Sequence, residues 1–180
     1  MWNIIATRKR LLLLALCGVA VFAAAAYALT VENVAFGTIA FFEPLHGPAD
    51  VSIDKITVDP GDDAPWHFHG GDAYGVVKTG TLTFIDGCGD VSQYSAGQAF
   101  FERGGQVHTI ANEEAVPVEF FGVIVACSGS PLTTIVAGPL CAPTSAEQCK
   151  NGGWTRFNNP VFKSQGECVT FAQHPKPPCG

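Results

Sequence analysis

The stretch "GQAFFERGGQVHTIAN", residues 97–112, decides which fold the sequence predicts. Two short apolar runs, residues 98–102 and 107–111, flank a Gly-Gly pair, which predicts two strands joined by a turn. The chain repeats this pattern in VSIDKITV (51–58), TLTFID (81–86) and VEFFGVIVA (118–126), with turn sequences DGCGD (86–90) and NEEA (112–115) between them. No 3.6-residue period accompanies these runs, so the sequence predicts an all-β sandwich or barrel.

Three histidines fall on these predicted strands. "WHFHGGDAYG", residues 66–75, places His67 and His69 two residues apart, and such residues project from the same face of a strand. His108 lies in the middle of the predicted strand 107–111, and two hairpins, turning near Gly80 and Gly87, can return it to the first pair. The arrangement predicts a metal site, and the alternative is three unrelated strand histidines.

Both histidine segments resemble the sequence motifs of the cupin family. The first cupin motif, G-x5-H-x-H-x3,4-E-x6-G, is matched at Gly61, His67, His69 and Gly80. The second, G-x5-P-x-G-x2-H-x3-N, is matched at Gly97, Gly105, His108 and Asn112. The resemblance covers about residues 35–127. It implies a cupin-type β-barrel of two packed antiparallel sheets, jelly-roll-like, whose apolar interior draws on Trp66, Phe68, Phe84, Phe100, Phe101, Phe120 and Phe121.

Two positions depart from the motifs. Arg103 stands at the proline of the second motif, and Ala73 stands at the glutamate of the first. The neighbouring Asp72 and Tyr74 should face away from the histidines, because side chains alternate along a strand. The sequence therefore predicts a site of three histidines with open coordination positions and no carboxylate.

The metal ligands predicted from the sequence are His67, His69 and His108. Neutral imidazoles suit several divalent transition metals, and the sequence does not choose among Fe, Mn, Cu, Ni and Zn. The resemblance implies a metal-dependent dioxygenase acting on a small organic substrate, since cupin sites with three histidines and no glutamate occur in such Fe(II) enzymes. An exported protein loads its metal where Cu or Zn compete better, which argues against iron.

Other functions remain open at this stage. One alternative is a non-catalytic exported cupin module that binds a small ligand or metal, and another is a structural barrel whose tail contacts other proteins. No catalytic residue is assigned, and the chain has no nucleotide-binding glycine motif or nucleophile elbow. The resemblance to small cupins is also the basis for a predicted homodimer. His46 and His174 lie in Pro/Gly-rich segments and are expected at the surface.

Residues 1–28 read as a secretory signal peptide. A basic segment at 7–10 precedes an uncharged apolar run at 11–28, which ends in the small-x-small sequence Ala26-Tyr27-Ala28. Export to the periplasm or the outside is expected, and the alternative is an uncleaved membrane anchor. The formal net charge is −6, and removing the three positive charges of the segment leaves −6 − 3 = −9. Such an acidic chain argues against nucleic acid or anionic lipid as partners.

Beyond the predicted barrel (31–127), residues 128–180 read as a loop-rich, cysteine-containing extension, with one strand pattern at 166–172. Six cysteines follow the signal, an even number that suggests disulfides in an exported chain, although free thiols are the alternative: Cys88, Cys127, Cys141, Cys149, Cys168 and Cys179. Residues 149–172 loosely resemble a cysteine-bounded module of secreted bacterial proteins. That resemblance implies a Cys149–Cys168 disulfide around Trp154, Phe157 and Phe162, and the alternative is an exposed aromatic binding patch.

Overall fold

The computed structural model describes residues 29–173. The predicted signal peptide, His174 and Cys179 lie outside the described residues. The described chain contains ten strands, three short 3-10 turns and one helix. The strands are β1 (Leu29–Phe42), β2 (Gly47–Val58), β3 (His67–His69), β4 (Gly71–Thr79), β5 (Thr81–Asp86), β6 (Val91–Ser95), β7 (Ala99–Glu102), β8 (His108–Ala111), β9 (Val118–Cys127) and β10 (Thr133–Ile135), and the helix is α1 (Gln165–Gln173).

The strands form two five-stranded antiparallel sheets, in the orders β1-β2-β9-β4-β7 and β10-β3-β8-β5-β6. The predicted all-β class is confirmed. All five predicted barrel strands are present, as parts of β2, β5, β7, β8 and β9. Between the sheets lies an apolar core in which Val58, Leu82 and Val118 are fully buried. This core fills one part of the interior and leaves room for a site beside it.

Strand β4 has no obvious strand sequence, because GDAYGVVKT contains two glycines and an aspartate. Its burial nevertheless alternates, with Ala73 and Val77 inside and Tyr74 outside. The glycines are required by close packing: a Cβ on Gly75 would lie 2.0 Å from the ring of Phe100, and one on Gly71 would lie 2.0 Å from the carbonyl oxygen of Val125. Small residues on β4 therefore let the neighbouring strands and their side chains approach.

Strand β1 forms an edge of the first sheet and pairs only with β2 among the described strands. It carries a series of exposed apolar side chains: Val31, Val34, Phe36, Ile39 and Phe41. Strand β10 lies beyond the barrel boundary predicted at residue 127, and it pairs with β3. Among residues 29–173, no helix is both long and apolar enough to cross a membrane.

The extension packs around its own small core. The predicted Cys149–Cys168 disulfide is confirmed, and Phe157 and Phe162 are buried beside it while Trp154 is partly buried. The strand predicted at 166–172 is wrong: these residues lie in α1, which brings Cys168 to Cys149 from a helical turn. The apolar run in this segment is compatible with either a strand or a helix, because so short a run has no periodicity that separates the two.

A second disulfide, Cys88–Cys141, joins the turn between β5 and β6 to the extension. Cys127 is also disulfide-bonded. The carbonyl oxygen of Leu140 approaches this turn so closely that a Cβ on Gly87 would lie 2.2 Å from it. The extension is therefore held covalently against one end of the barrel. These disulfides fit an oxidising compartment.

Candidate metal centre

The three predicted histidines lie together inside the barrel. His67 on β3 is the direct cross-strand partner of His108 on β8, and His69 follows two residues along β3 on the same face. The imidazole rings have centroid separations of 5.1, 4.3 and 5.2 Å. One ring nitrogen from each lies within 4.8 Å of the others, an arrangement that can hold a metal ion. The two hairpins thus bring the histidines together as expected, and metal binding itself stays a prediction.

Backbone carbonyl groups orient the three rings. Nδ1 of His67 lies 2.7 Å from the carbonyl oxygen of Pro65, and Nδ1 of His108 lies 2.9 Å from that of Gln106. Nδ1 of His69 lies 3.1 Å from the hydroxyl oxygen of Thr133 and 3.2 Å from the carbonyl oxygen of Leu132. Because a carbonyl oxygen only accepts hydrogen bonds, Nδ1 of His67 and of His108 carries a proton, and in the neutral ring Nε2 of each presents a lone pair. This is the outer support that metal-binding histidines ordinarily have.

Nε2 of His108 supplies a direct test of whether the site suits a metal. His108 is 1% exposed, and its Nε2 has no hydrogen-bond partner in the part of the chain that the structure describes. Leaving such a group buried without a partner costs about 1–3 kcal/mol. The ring cannot turn away, since Phe84 stacks on it at 5.1 Å and its Nδ1 is hydrogen-bonded. A bound cation would satisfy this nitrogen, so the site fits a metal.

A carboxylate that the sequence analysis did not consider, Glu102, also reaches the histidines, and the ligand set of three histidines stays a prediction. Oε2 of Glu102 on β7 lies 3.1 Å from Nε2 of His69, and its Oε1 lies 3.3 Å from Nε2 of His108. Sequence reasoning placed the carboxylate by the first motif and therefore missed Glu102. The signal that could have found it is the alternation in AFFE, which turns Phe100 and Glu102 inward and leaves Phe101 exposed.

The remaining acidic and aromatic candidates differ in whether their side chains point into the barrel or toward solvent. Asp72 is exposed and accepts a hydrogen bond from the backbone N–H of Gly104, so it points away from the histidines as predicted. Phe100 and Phe120 lie inside the barrel, whereas Phe101 and Phe121 are exposed and do not fill it. His46 is exposed, in agreement with its predicted surface position.

His67, His69 and Glu102 border an apolar cavity of about 210 Å³. Its walls are mainly aliphatic and aromatic, and none of the residues from 29–173 that line it is a lysine or an arginine. Asp54, Glu102 and Thr133 contribute polar groups at its margin. The volume lies below the range of about 300–1,000 Å³ that is typical for drug-sized ligands, so the cavity suits a smaller organic molecule.

Burial changes the charge states in the site. Burial, and then the nearby positive charge of His108, lower the pKa of His67 to about 4. Burial likewise lowers the pKa of His108. Burial alone would raise the pKa of the Glu102 carboxyl, but contact with His69 and the charge of His108 hold it below its ordinary value. A neutral imidazole is the form that binds a metal.

Acidification is expected to destabilise the metal-free protein. Between the ordinary histidine pKa of 6.5 and about 4, His67 takes up a proton in the unfolded chain but not in the folded one. The unfolded state then binds more protons, so the free energy of unfolding falls as the pH drops through this window. Urea unfolding with a chelator present, at pH 7, 6 and 5, measures this fall. His67→Asn should flatten the dependence and His46→Asn should not, and equal stability of the original protein at pH 7 and 5 would contradict the expectation.

The other motif residues shape the backbone around the site. The four motif glycines, at 61, 80, 97 and 105, all adopt positive φ between 77° and 86°, a conformation that other residues rarely take. The buried Asn112 donates hydrogen bonds from its amide to the carbonyl oxygens of Val58 and Val116. It thereby fixes the turn that joins β8 to β9, and with it the position of β8 beside β3.

Comparison with protein families identifies this architecture. Residues 55–125 match the family model described as a cupin domain. Residues 55–125 are therefore similar to a cupin domain. The match includes both histidine segments and Glu102, and it confirms the resemblance of the two motifs to cupins.

Solved structures similar to the chain include several cupins. A conserved double-stranded β-helix protein from Klebsiella pneumoniae is 24% identical over 48% of this chain and 74% of that one, with a TM-score of 0.43. The cupin domain of a transcriptional regulator from Enterobacter cloacae is 23% identical over 54% and 95%, with a TM-score of 0.40. A mutant oxalate decarboxylase from Bacillus subtilis is 16% identical over 48% of this chain and 24% of that enzyme, with a TM-score of 0.42. No curated protein matches the chain.

Proposed function

We propose that this protein is an exported metal-binding cupin that holds one divalent transition metal through His67, His69 and His108. The observation that carries the proposal is the convergence of the rings: one ring nitrogen from each histidine lies within 4.8 Å of the others, and backbone carbonyl oxygens lie beside each Nδ1. Export is supported by the disulfides and by the signal-like residues 1–28. When bound, the metal supplies Lewis-acid and redox chemistry at coordination positions that the protein leaves open.

The activity that we propose for the site is oxidation of a small organic substrate, of the dioxygenase class. The cavity walls would hold the apolar body of the substrate against the histidines, and their apolar surface would exclude water from the reacting groups. Because the described part of the chain lines the cavity without lysine or arginine, the site favours a substrate with little negative charge away from the metal. Phe100 and Phe120 form part of this wall.

Metal analysis of the protein purified from an exported compartment tests the proposal. About one transition-metal ion per chain is expected, and its identity selects among Fe, Mn, Cu, Ni and Zn. A protein that carries no metal, and takes up none of these ions after chelation and dialysis, would overturn the proposal.

Oxygen uptake separates an enzyme from a non-catalytic module. The metal-loaded protein is offered a panel of small aromatic and aliphatic compounds, and both oxygen consumption and binding are followed. Consumption with one of the compounds supports the enzyme, whereas tight binding without any consumption supports the exported binding module. The homodimer implied by the resemblance stays a prediction.

A further inference from the structure

Position 73 and position 102 face each other across β4 and β7. Ala73 and Glu102 are cross-strand partners, and their residues are 3% and 7% exposed. Both side chains line the cavity. The first cupin motif places its glutamate at position 73, so the carboxylate that is absent from β4 is present on the adjoining strand, one inter-strand step away.

The distances around Glu102 are those between ligands that share a metal. Metal–nitrogen and metal–oxygen bonds of about 2.1 Å separate neighbouring ligand atoms by about 3.0–3.4 Å in octahedral or tetrahedral geometry. The two Glu102 oxygens lie 3.1 Å and 3.3 Å from Nε2 of His69 and His108. Each carboxylate oxygen thus already occupies a position next to one histidine ligand.

The contacts of Glu102 differ on its two sides. A proton on Nε2 of His69 accounts for the 3.1 Å contact with one carboxylate oxygen. Nε2 of His108 presents a lone pair, because its Nδ1 proton goes to the carbonyl oxygen of Gln106, and it has no hydrogen-bond partner within residues 29–173. A cation on this side would satisfy both this nitrogen and the carboxylate oxygen 3.3 Å from it.

We propose that Glu102 is the carboxylate ligand of the metal, contributed by β7 in place of the β4 position used by the first cupin motif. This assignment rests on the proposed metal-binding function. The carboxylate adds one negative charge to the three neutral imidazoles, which offsets part of the charge of a divalent ion inside an apolar cavity. It also makes the metal join β3, β7 and β8, and thereby both sheets.

Metal affinity of four proteins tests the assignment, with the ion delivered from a competing chelator. The neutral and nearly isosteric Glu102→Gln should bind at least about tenfold more weakly than the original protein, the lower end of the loss seen even for residues that only support a ligand. Glu102→Ala should lose at least as much. The exchange Ala73→Glu combined with Glu102→Ala returns the carboxylate from the opposite strand and should recover most of the affinity.

Asp72→Asn is the matched control, because Asp72 neighbours Ala73 on β4 but faces solvent. It should leave the affinity unchanged. If the original protein binds metal and Glu102→Gln binds it equally tightly, the assignment is overturned while the three-histidine site stands. If the original protein binds no metal, the proposed function fails, and the assignment with it.

A crystal structure of the metal-loaded original protein gives a measurement that needs no variant. A Glu102 oxygen within about 2.2 Å of the ion supports the assignment, since this is the length of a metal–carboxylate bond. An ion held by the histidines with both Glu102 oxygens beyond about 3 Å, outside bonding distance, overturns it.

Discussion

Replacing His108 with alanine is expected to remove the bound metal as completely as His67→Ala or His69→Ala. Each substitution deletes one of three nitrogen ligands, and the loss should reach at least about a hundredfold in affinity, since even residues that merely support ligands contribute up to that amount. His108 is the most informative of the three, because it comes from a different strand and its Nε2 has no hydrogen-bond partner in the described chain. Metal content after dialysis measures the effect.

His46→Ala serves as the control, since His46 is exposed in the turn before β2. It should retain the full metal content. Circular dichroism checks that each variant still folds, because removing the buried imidazole also deprives Phe84 of its stacking partner. A folded His108→Ala protein with undiminished metal would show that His108 is not a ligand.

Breaking the Cys149–Cys168 disulfide is expected to loosen the extension and leave the metal site intact. The bridge closes a loop with a sequence separation of 19 residues, and on the loop-closure model such a bridge contributes roughly 3 kcal/mol. The core that it supports is small, with Phe157 and Phe162 as its buried aromatic residues. That much apolar surface offsets little chain entropy, so the cross-link decides whether the segment stays ordered.

Limited proteolysis of Cys149→Ser combined with Cys168→Ser measures this effect. New cleavage sites should appear after Cys141 and not before it, since the Cys88–Cys141 disulfide still anchors the chain there. Cys88→Ser combined with Cys141→Ser is the comparison, in which cleavage should begin earlier in the extension. Loss of metal from the Cys149/Cys168 variant would contradict the independence of the barrel and its site.

Much of the barrel could be predicted, because alternating apolar side chains and β-branched residues indicate strands, as in β5 and β9. Strand β4 could not, since two of its inward positions are Gly71 and Gly75, where neighbouring atoms leave no space for a side chain. Helix α1 could not be predicted either. It has only nine residues, and the disulfide from its Cys168 to Cys149 holds it in place more than its local sequence pattern does.

The histidines of the site were predictable from spacing, because residues two apart on a strand share a face. Alternation along β7 also turns Glu102 inward. Its place beside the histidines could not be predicted, because the pairing of β4 with β7 is a long-range contact that no local motif specifies. The alanine at position 73, where the motif has glutamate, can be interpreted only when its cross-strand partner Glu102 is known.

The Cys88–Cys141 disulfide can form only late during export of the chain. Its two cysteines are 53 residues apart, and strands β6 to β10 lie between them. A chain that crosses a membrane amino end first presents Cys88 early, and its partner arrives only after the last strand has emerged. This pair can therefore oxidise only after the residues of β6 to β10 have crossed, and a host whose cytosol keeps thiols reduced would leave the extension without this covalent tether.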